Sequence, residues 1–82
     1  MKKLKRLSGE EVARVFPLLG FHLIRQSENH VKFRRLLADG TRQTLTIPIH
    51  PELDTETLRI IYRQALRYIP GSQLQPYFFS FH

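Results

Sequence analysis

The sequence predicts an α+β domain in which three antiparallel strands form a sheet and two helices cover one face of it. Two stretches have apolar residues at helical spacing, and three short segments between them alternate apolar and polar residues. Both helices need cover for an apolar face, and packing them on one side of the sheet is the simplest solution. With 82 residues the chain has room for one core, so we expect a single domain over residues 1–82.

The first predicted helix begins at Ser8. Ser8 and Glu11 have the spacing of a capping box, in which each side chain accepts a hydrogen bond from the other residue's backbone N–H. Pro17 has no N–H to donate, so the last turn should be kinked or unwound, and Gly20 should end the helix. The apolar stripe of this helix consists of Val12, Val15, Phe16 and Leu19.

Three strands are predicted, over residues 21–26, 30–37 and 42–49. The short polar segment Ser27-Glu28-Asn29 is typical of a tight turn between the first two strands. Asp39-Gly40 favours a two-residue hairpin between the second and the third.

The second predicted helix begins at Asp54 or Thr55, either of which can cap it, and Pro70-Gly71 should end it. Residues 70–82 form an aromatic tail, which we expect to fold back over the core. The alternative is an exposed apolar patch that makes a homodimer through the tail. Residues 1–6 form a basic N-terminal arm, which we expect to be frayed.

The charge of the chain indicates a polyanionic partner. Lys and Arg outnumber Asp and Glu by 13 to 7, for a net charge of +6. Such a small basic domain usually meets nucleic acid, an anionic membrane face or an acidic protein. The absence of cysteine excludes disulfides and thiolate metal sites and fits a cytoplasmic location. No apolar run approaches the roughly 20 residues that span a bilayer, and no signal-peptide pattern follows the basic start.

The second strand carries the most suggestive side chains. Alternation places His30, Lys32 and Arg34 on one face, about 7 Å apart for each pair of residues. An imidazole can take the proton of a 2′-hydroxyl, and neighbouring cations can stabilise the charge of a phosphorane-like transition state. A strand histidine alone is more often a solvated surface residue, so the spacing by itself leaves both interpretations open.

Several short motifs, in this order along the chain, resemble the HicA toxin family. They are Leu7-Ser8-Gly9-Glu10-Glu11-Val12, Leu19-Gly20-Phe21, Arg25-Gln26 with His30 four residues on, Thr46-Ile47-Pro48-Ile49-His50, Thr57-Leu58-Arg59 and Arg63-Gln64-Ala65. The resemblance covers residues 5–66. It implies a double-stranded-RNA-binding-type fold and a small ribonuclease of a toxin–antitoxin pair. Such proteins cut mRNA without a metal or other cofactor and are silenced by a HicB-type antitoxin protein.

By position, the catalytic histidine of that family falls on His30. The family pattern has Gly-Ser before this histidine, whereas this chain has Glu28-Asn29, which adds bulk and a negative charge. The sequence therefore predicts an mRNA endonuclease with His30 as general base. The alternative is a non-catalytic RNA-binding module of the same fold.

The remaining candidate residues are basic or imidazole side chains. We expect Arg25, Lys32 and Arg34 to stabilise the phosphate. Arg59 and Arg63, with Arg67, recur every four residues and form either a phosphate-tracking ridge or a solvated helix face. His50 is a candidate second acid or base, or else a hydrogen-bonded histidine before Pro51. No histidine pair has the spacing of a structural zinc site.

Overall fold

A computed structural model describes residues 2–81. Along the chain the elements are β1 (Lys2–Leu4), α1 (Gly9–Ala13), α2 (Val15–Leu18), β2 (His22–Gln26), β3 (His30–Leu36), β4 (Arg42–Pro48), α3 (Thr55–Leu66), α4 (Gly71–Phe78) and β5 (Phe79–Phe81). Met1 and His82, the outer ends of the predicted arm and tail, lie outside the described residues. The predicted α+β class is confirmed, and β1, α4 and β5 are additions to the predicted order.

One face of the three-stranded antiparallel sheet β2-β3-β4 carries the hydrophobic core. Val31 and Phe33 of β3 and Leu45 and Ile47 of β4 are buried on this face. Because successive strand residues point to opposite faces, His30, Lys32 and Thr46 lie on the other face. The helices join the buried cluster through Val12, Phe16, Leu58, Ile61, Ala65, Leu74 and Phe78. The helices therefore cover one side of the sheet and leave the other side free.

The first predicted helix is split at Arg14 into α1 and α2. The break lies one turn before Pro17, which has no N–H to donate to the preceding turn. The predicted capping box is confirmed: the Glu11 N–H donates to the Ser8 hydroxyl at 3.1 Å, and the Ser8 N–H donates to the Glu11 carboxylate at 2.9 Å. The bond from the Ser8 N–H holds the pKa of Glu11 below its ordinary value.

The hairpin between β3 and β4 has a three-residue loop, so the two-residue prediction was wrong in length. The Leu37 N–H donates to the Thr41 carbonyl at 2.9 Å and thereby closes the loop over residues 38–40. The Gly40 N–H donates back to the Leu37 carbonyl at 2.9 Å, and Gly40 has a φ of 89°. A turn followed by a residue in the left-handed region is the common form of such loops, and glycine adopts that region without strain.

The chain ends pair with each other. β1 runs antiparallel to β5, with Lys2 opposite Phe81 and Leu4 opposite Phe79, so the expectation of a frayed basic arm was wrong. The Lys2 ammonium also lies 4.6 Å from the centre of the Phe79 ring. The tail folds back as expected, because Leu74 and Phe78 of α4 are fully buried.

The second predicted helix is shorter than expected. Asp54 is its N-cap and accepts from the Thr57 N–H at 2.7 Å, which lowers the pKa of Asp54. The helix α3 ends at Leu66, and Pro70-Gly71 begins α4 instead of ending α3. Pro70 directly precedes the first residue of α4. Proline is tolerated at the start of a helix because the first N–H groups have no partner within the helix.

The guanidinium of Arg35 connects three elements. Its Nε donates to the Gln43 side chain at 2.7 Å, and its terminal nitrogens donate to the carbonyls of Leu19 at 3.0 Å and Tyr68 at 2.7 Å. The guanidinium carbon lies 4.7 Å from the centre of the Phe21 ring. Leu19 follows α2 and Tyr68 follows α3, so one cation satisfies carbonyls at the carboxyl ends of both helices.

We expect Arg35→Lys to lower the free energy of unfolding by about 2–4 kcal/mol, because an ammonium cannot reach both carbonyls and Gln43 together. Urea unfolding measures this change. Arg42→Lys is the matched control: Arg42 is an exposed arginine at the start of β4, and we expect a change within about 0.5 kcal/mol. Equal effects of the two substitutions would contradict the role given to Arg35.

Gly9 marks a close approach of α1 to the end of β4. Its N–H donates to the His50 carbonyl at 2.9 Å. A Cβ at this position would meet the Pro48 carbonyl oxygen and would lie 2.7 Å from the Ile49 Cα. These contacts are with backbone, which cannot rotate away as a side chain can.

We therefore expect Gly9→Ala to destabilise the protein by about 1–3 kcal/mol, the usual range for overpacking. Thermal unfolding followed by circular dichroism measures the loss. Gly71→Ala serves as control, because the nearest atom to a Cβ there lies at 3.6 Å. Since alanine favours helix over glycine, the control should be neutral or slightly stabilising. A Gly9→Ala protein as stable as the wild type would refute the close-approach argument.

Candidate nucleic-acid interface

The free face of the sheet carries three rows of side chains that run across the strands. In an antiparallel sheet, residues directly opposite each other share a face. Rows two residues apart on β3 are separated by about 7 Å. The register defines a first row of His30 and Pro48, a second row of Arg25, Lys32 and Thr46, and a third row of His22, Arg34 and Thr44.

Arg25 reaches the free face because β2 has a bulge. Leu23 pairs with Phe33 and Arg25 pairs with Lys32, so the register shifts between them and Ile24 is the extra residue. In regular alternation, Arg25 would share the core face with Leu23. The bulge reverses the alternation and directs Arg25 outward, beside Lys32.

Side chains of the first two rows line a shallow pocket at the start of β3. Its volume is about 220 Å³, and its lining residues are Arg25, Ser27, His30, Lys32 and Thr46. This volume lies below the range of roughly 300–1,000 Å³ that is typical of small-molecule sites. The pocket therefore suits one phosphate group of a longer chain better than a free ligand. It brings together three residues predicted from the sequence: Arg25, His30 and Lys32.

Two hydroxyl side chains of the pocket, Ser27 and Thr46, are absent from the predicted site. Both are exposed. A signal for Thr46 exists in the sequence, since it alternates with the buried Leu45 and Ile47 on the third strand. Ser27 carries no comparable signal, because a serine before a turn is commonplace.

Ser27 fixes the backbone at His30. Its N–H donates to the His30 carbonyl at 2.9 Å, and the His30 N–H donates to the Ser27 hydroxyl oxygen at 3.2 Å. The Asn29 carbonyl accepts from the Ile49 N–H at 2.8 Å and ties the turn to the chain after β4. The predicted tight turn is therefore confirmed, with Glu28 and Asn29 as its two loop residues. Glu28 is exposed and does not line the pocket.

Arg34 lies in the third row, outside the pocket. Its side chain is partly buried, and its Nε is buried without a hydrogen-bond acceptor among the described residues. The adjacent Arg35 points to the core side, where its Nε has an acceptor. These two neighbouring arginines therefore lie on opposite faces of the sheet. Arg35 is hydrogen-bonded on the core side, and Arg34 lies on the free face.

Arg59 and Arg63 are not brought to His30. They are exposed on α3 and line a separate surface cavity with Thr55, Glu56 and Ile60. The buried side of α3, with Leu58, Ile61 and Ala65, faces the core. The two arginines therefore lie on the helix layer, away from the free face of the sheet.

His50 lies at the same end of the sheet as His30 but lines a different cavity. Pro48 is opposite His30, and His50 follows it by two residues. The cavity at His50 is also lined by Ser8, Glu10, Ile49 and Pro51. The backbone of His50 holds the start of α1 through the bond from the Gly9 N–H. Its imidazole is exposed.

Within residues 2–81, no three side chains of His, Cys, Asp or Glu come together as a set of metal ligands. In the same range, no helix has both the length and the apolar character needed to cross a membrane.

A family model described as the HicA toxin of bacterial toxin–antitoxin systems matches residues 9–66. The chain belongs to the HicA toxin family. The matched region runs from the start of α1 to the end of α3 and contains every residue of the pocket. The strands β1 and β5 and the helix α4 lie outside it. No curated protein and no solved structure gives a significant match to this HicA-family chain.

Proposed function

We propose that this HicA-family toxin is an endoribonuclease that cuts mRNA in the cytoplasm, without a metal ion, and that His30 is its general base. One observation carries the proposal: His30 shares a pocket with the cations Arg25 and Lys32 on the free face of the sheet. RNase-like activity is general among toxins of this family. The remaining steps follow from the chemistry of a phosphodiester with a 2′-hydroxyl.

The reaction is an internal transesterification. The neutral imidazole of His30 takes the proton of the 2′-hydroxyl, and the 2′-oxygen attacks the phosphorus atom. The bond from phosphorus to the 5′-oxygen breaks, and the leaving oxygen takes a proton from water, to which the shallow pocket is open. His30 then returns its proton to water. The products carry a 2′,3′-cyclic phosphate and a 5′-hydroxyl.

Arg25 and Lys32 stabilise the charge that develops on the non-bridging oxygens. The two residues are directly opposite each other on β2 and β3, so both cations can contact one phosphate. The hydroxyls of Ser27 and Thr46 add donors at the same pocket. Because these groups are placed by the sheet before RNA binds, little reorganisation accompanies the reaction.

His50 is a second candidate proton donor for the leaving oxygen. Its cavity adjoins the same end of the sheet, so RNA extending from His30 toward α1 would pass it.

We assign Arg59 and Arg63 a role outside the reaction, since they lie on the exposed side of α3, away from the pocket. Their charge contributes to the attraction of RNA before it docks, an effect that salt screens.

The partner we propose is an acidic, HicB-like antitoxin that covers the pocket. The net charge of +6 favours an acidic partner, and the free face is the surface without a helix above it. A homodimer through the tail has less support. The tail buries Leu74 and Phe78 in its own core, and the most exposed apolar side chain it offers is Phe81, at 57%.

Incubation of mRNA with the purified wild type and with His30→Ala tests the proposal. We expect cyclic-phosphate fragments from the wild type and a loss of about 10²–10⁴-fold in rate for the variant, the usual contribution of a general base. Gln73→Ala, an exposed position on α4, should retain full activity. RNA that stays intact with wild type and variant alike would refute the nuclease.

In bacteria, the wild type expressed alone should slow growth, and His30→Ala should not. Coexpression of a HicB-like antitoxin should restore growth of cells that make the wild type. Normal growth with the wild type alone would refute the toxin role proposed for this chain.

Glu28 favours the second candidate function, an RNA-binding module that does not cut. Its carboxylate sits in the turn next to His30, where the family pattern has small residues. A negative charge here repels a phosphate that approaches the pocket.

We expect Glu28→Gln to raise RNA cleavage two- to fivefold at low salt, and the gain to vanish near 1 M salt, where the Debye length is about 3 Å. Initial rates on one RNA at two salt concentrations measure this. Glu52→Gln, an exposed carboxylate outside the pocket, is the control for net charge. RNA that binds to every variant, including His30→Ala, and is never cut would establish the binding module instead.

A further inference from the structure

The third row of the free face, His22, Arg34 and Thr44, has no part in the reaction described above. It lies one row farther along β3 from Arg25, Lys32 and Thr46. We propose that this row is a second phosphate subsite, which holds the phosphate adjacent to the scissile one in single-stranded RNA. The proposal rests on the proposed nuclease function for the identity of the scissile phosphate.

The spacing of the rows fits a single strand of RNA. Alternate residues of β3 are about 7 Å apart, close to the distance between consecutive phosphates of an extended RNA strand. Among residues 2–81 no helix covers the free face, so a strand can lie along β3 with the scissile phosphate in the pocket of the first two rows and the next phosphate at the third row. In-line attack by the 2′-oxygen also requires an unpaired strand, because duplex geometry holds that oxygen away from the reaction axis.

The chemistry of the row fits a phosphate. A guanidinium offers paired donors in a plane, an arrangement that matches two phosphate oxygens. The exposed imidazole of His22 and the hydroxyl of Thr44 flank it on the neighbouring strands. The row contains no carboxylate, so no negative charge within it repels an anion.

The state of Arg34 supports a ligand at this position. Its Nε is buried with no acceptor in the described range 2–81, and a donor left unpaired in this way is destabilising. On the same strand, the Nε of Arg35 bonds to Gln43 at 2.7 Å. Bidentate binding through Arg34 requires a rotation of the side chain that exposes its Nε together with one terminal nitrogen. Because the side chain is already partly buried, it loses less conformational freedom on binding than a fully exposed arginine does.

Binding of short oligouridylates to the full chain tests the subsite. His30→Ala is the parent protein, so the RNA remains uncut, and Arg34→Gln is added to it. A dinucleotide has one phosphate between its sugars and a tetranucleotide has three. We expect the added substitution to leave dinucleotide affinity unchanged and to weaken tetranucleotide binding about tenfold. The slope of log K against log salt should fall by roughly 0.7 for the tetranucleotide, the value for one phosphate contact on a single strand.

Arg14→Gln is the matched control, an exposed arginine at the break between α1 and α2. It removes the same charge and should alter neither affinity nor slope. His22→Asn is a second test of the row and should also weaken only the tetranucleotide, by less than Arg34→Gln. Melting temperatures within a few degrees of the parent establish that the variants are folded.

The subsite is overturned if Arg34→Gln binds both oligonucleotides as the parent does, or weakens both equally. It is also overturned if RNA binding is unchanged and only binding to an acidic antitoxin is weakened, which would assign the row to the protein partner. Failure of the nuclease has a separate signature. If the wild type cuts no RNA but Arg34→Gln weakens binding of the tetranucleotide alone, the proposed nuclease activity is refuted and the subsite is supported.

Discussion

The contact of Arg35 with two helix ends is the constraint on which this small fold depends. A buried or half-buried cation is destabilising unless its donors are satisfied, and here three acceptors and an aromatic ring surround the guanidinium. The bonds to Leu19 and Tyr68 fix where α2 and α3 end relative to β3. With Arg35 held on the core side, alternation requires His30, Lys32 and Arg34 to face outward. The hydrogen bonds that join Arg35 to the ends of α2 and α3 therefore also determine which side chains of β3 face outward at the candidate site.

Features that depend on local chemistry were predictable from the sequence. The capping box at Ser8, the cap at Asp54 and the turn before His30 each involve residues within a few positions of one another. The pairing of β1 with β5 joins opposite ends of the chain, and no local pattern encodes it. The helix α4 was missed for another reason: it contains Pro76, which ordinarily argues against helix, and its aromatic residues suggested only a tail.

The candidate site was predictable in part. Alternation alone put His30 and Lys32 on one face, and the family resemblance drew attention to Arg25. Alternation also placed Arg34 on that face, but it could not predict that Arg35 joins two helix ends, because this depends on which carbonyls lie within reach on the core side. Nor could it place Arg59 and Arg63 relative to the pocket, since that depends on the side of the sheet that α3 covers.

Because of the bulge in β2, spacing along the sequence does not by itself determine which side chains of that strand share a face. His22 and Arg25 both face outward although they are three positions apart, which regular alternation forbids and the extra residue Ile24 permits. At the native length, loss of the bulge would turn one of the two toward the core, whereas deletion of Ile24 would restore regular alternation and leave both facing outward. When HicA-family sequences are compared, a one-residue gap at Ile24 is therefore compatible with the same set of outward-facing side chains on this strand.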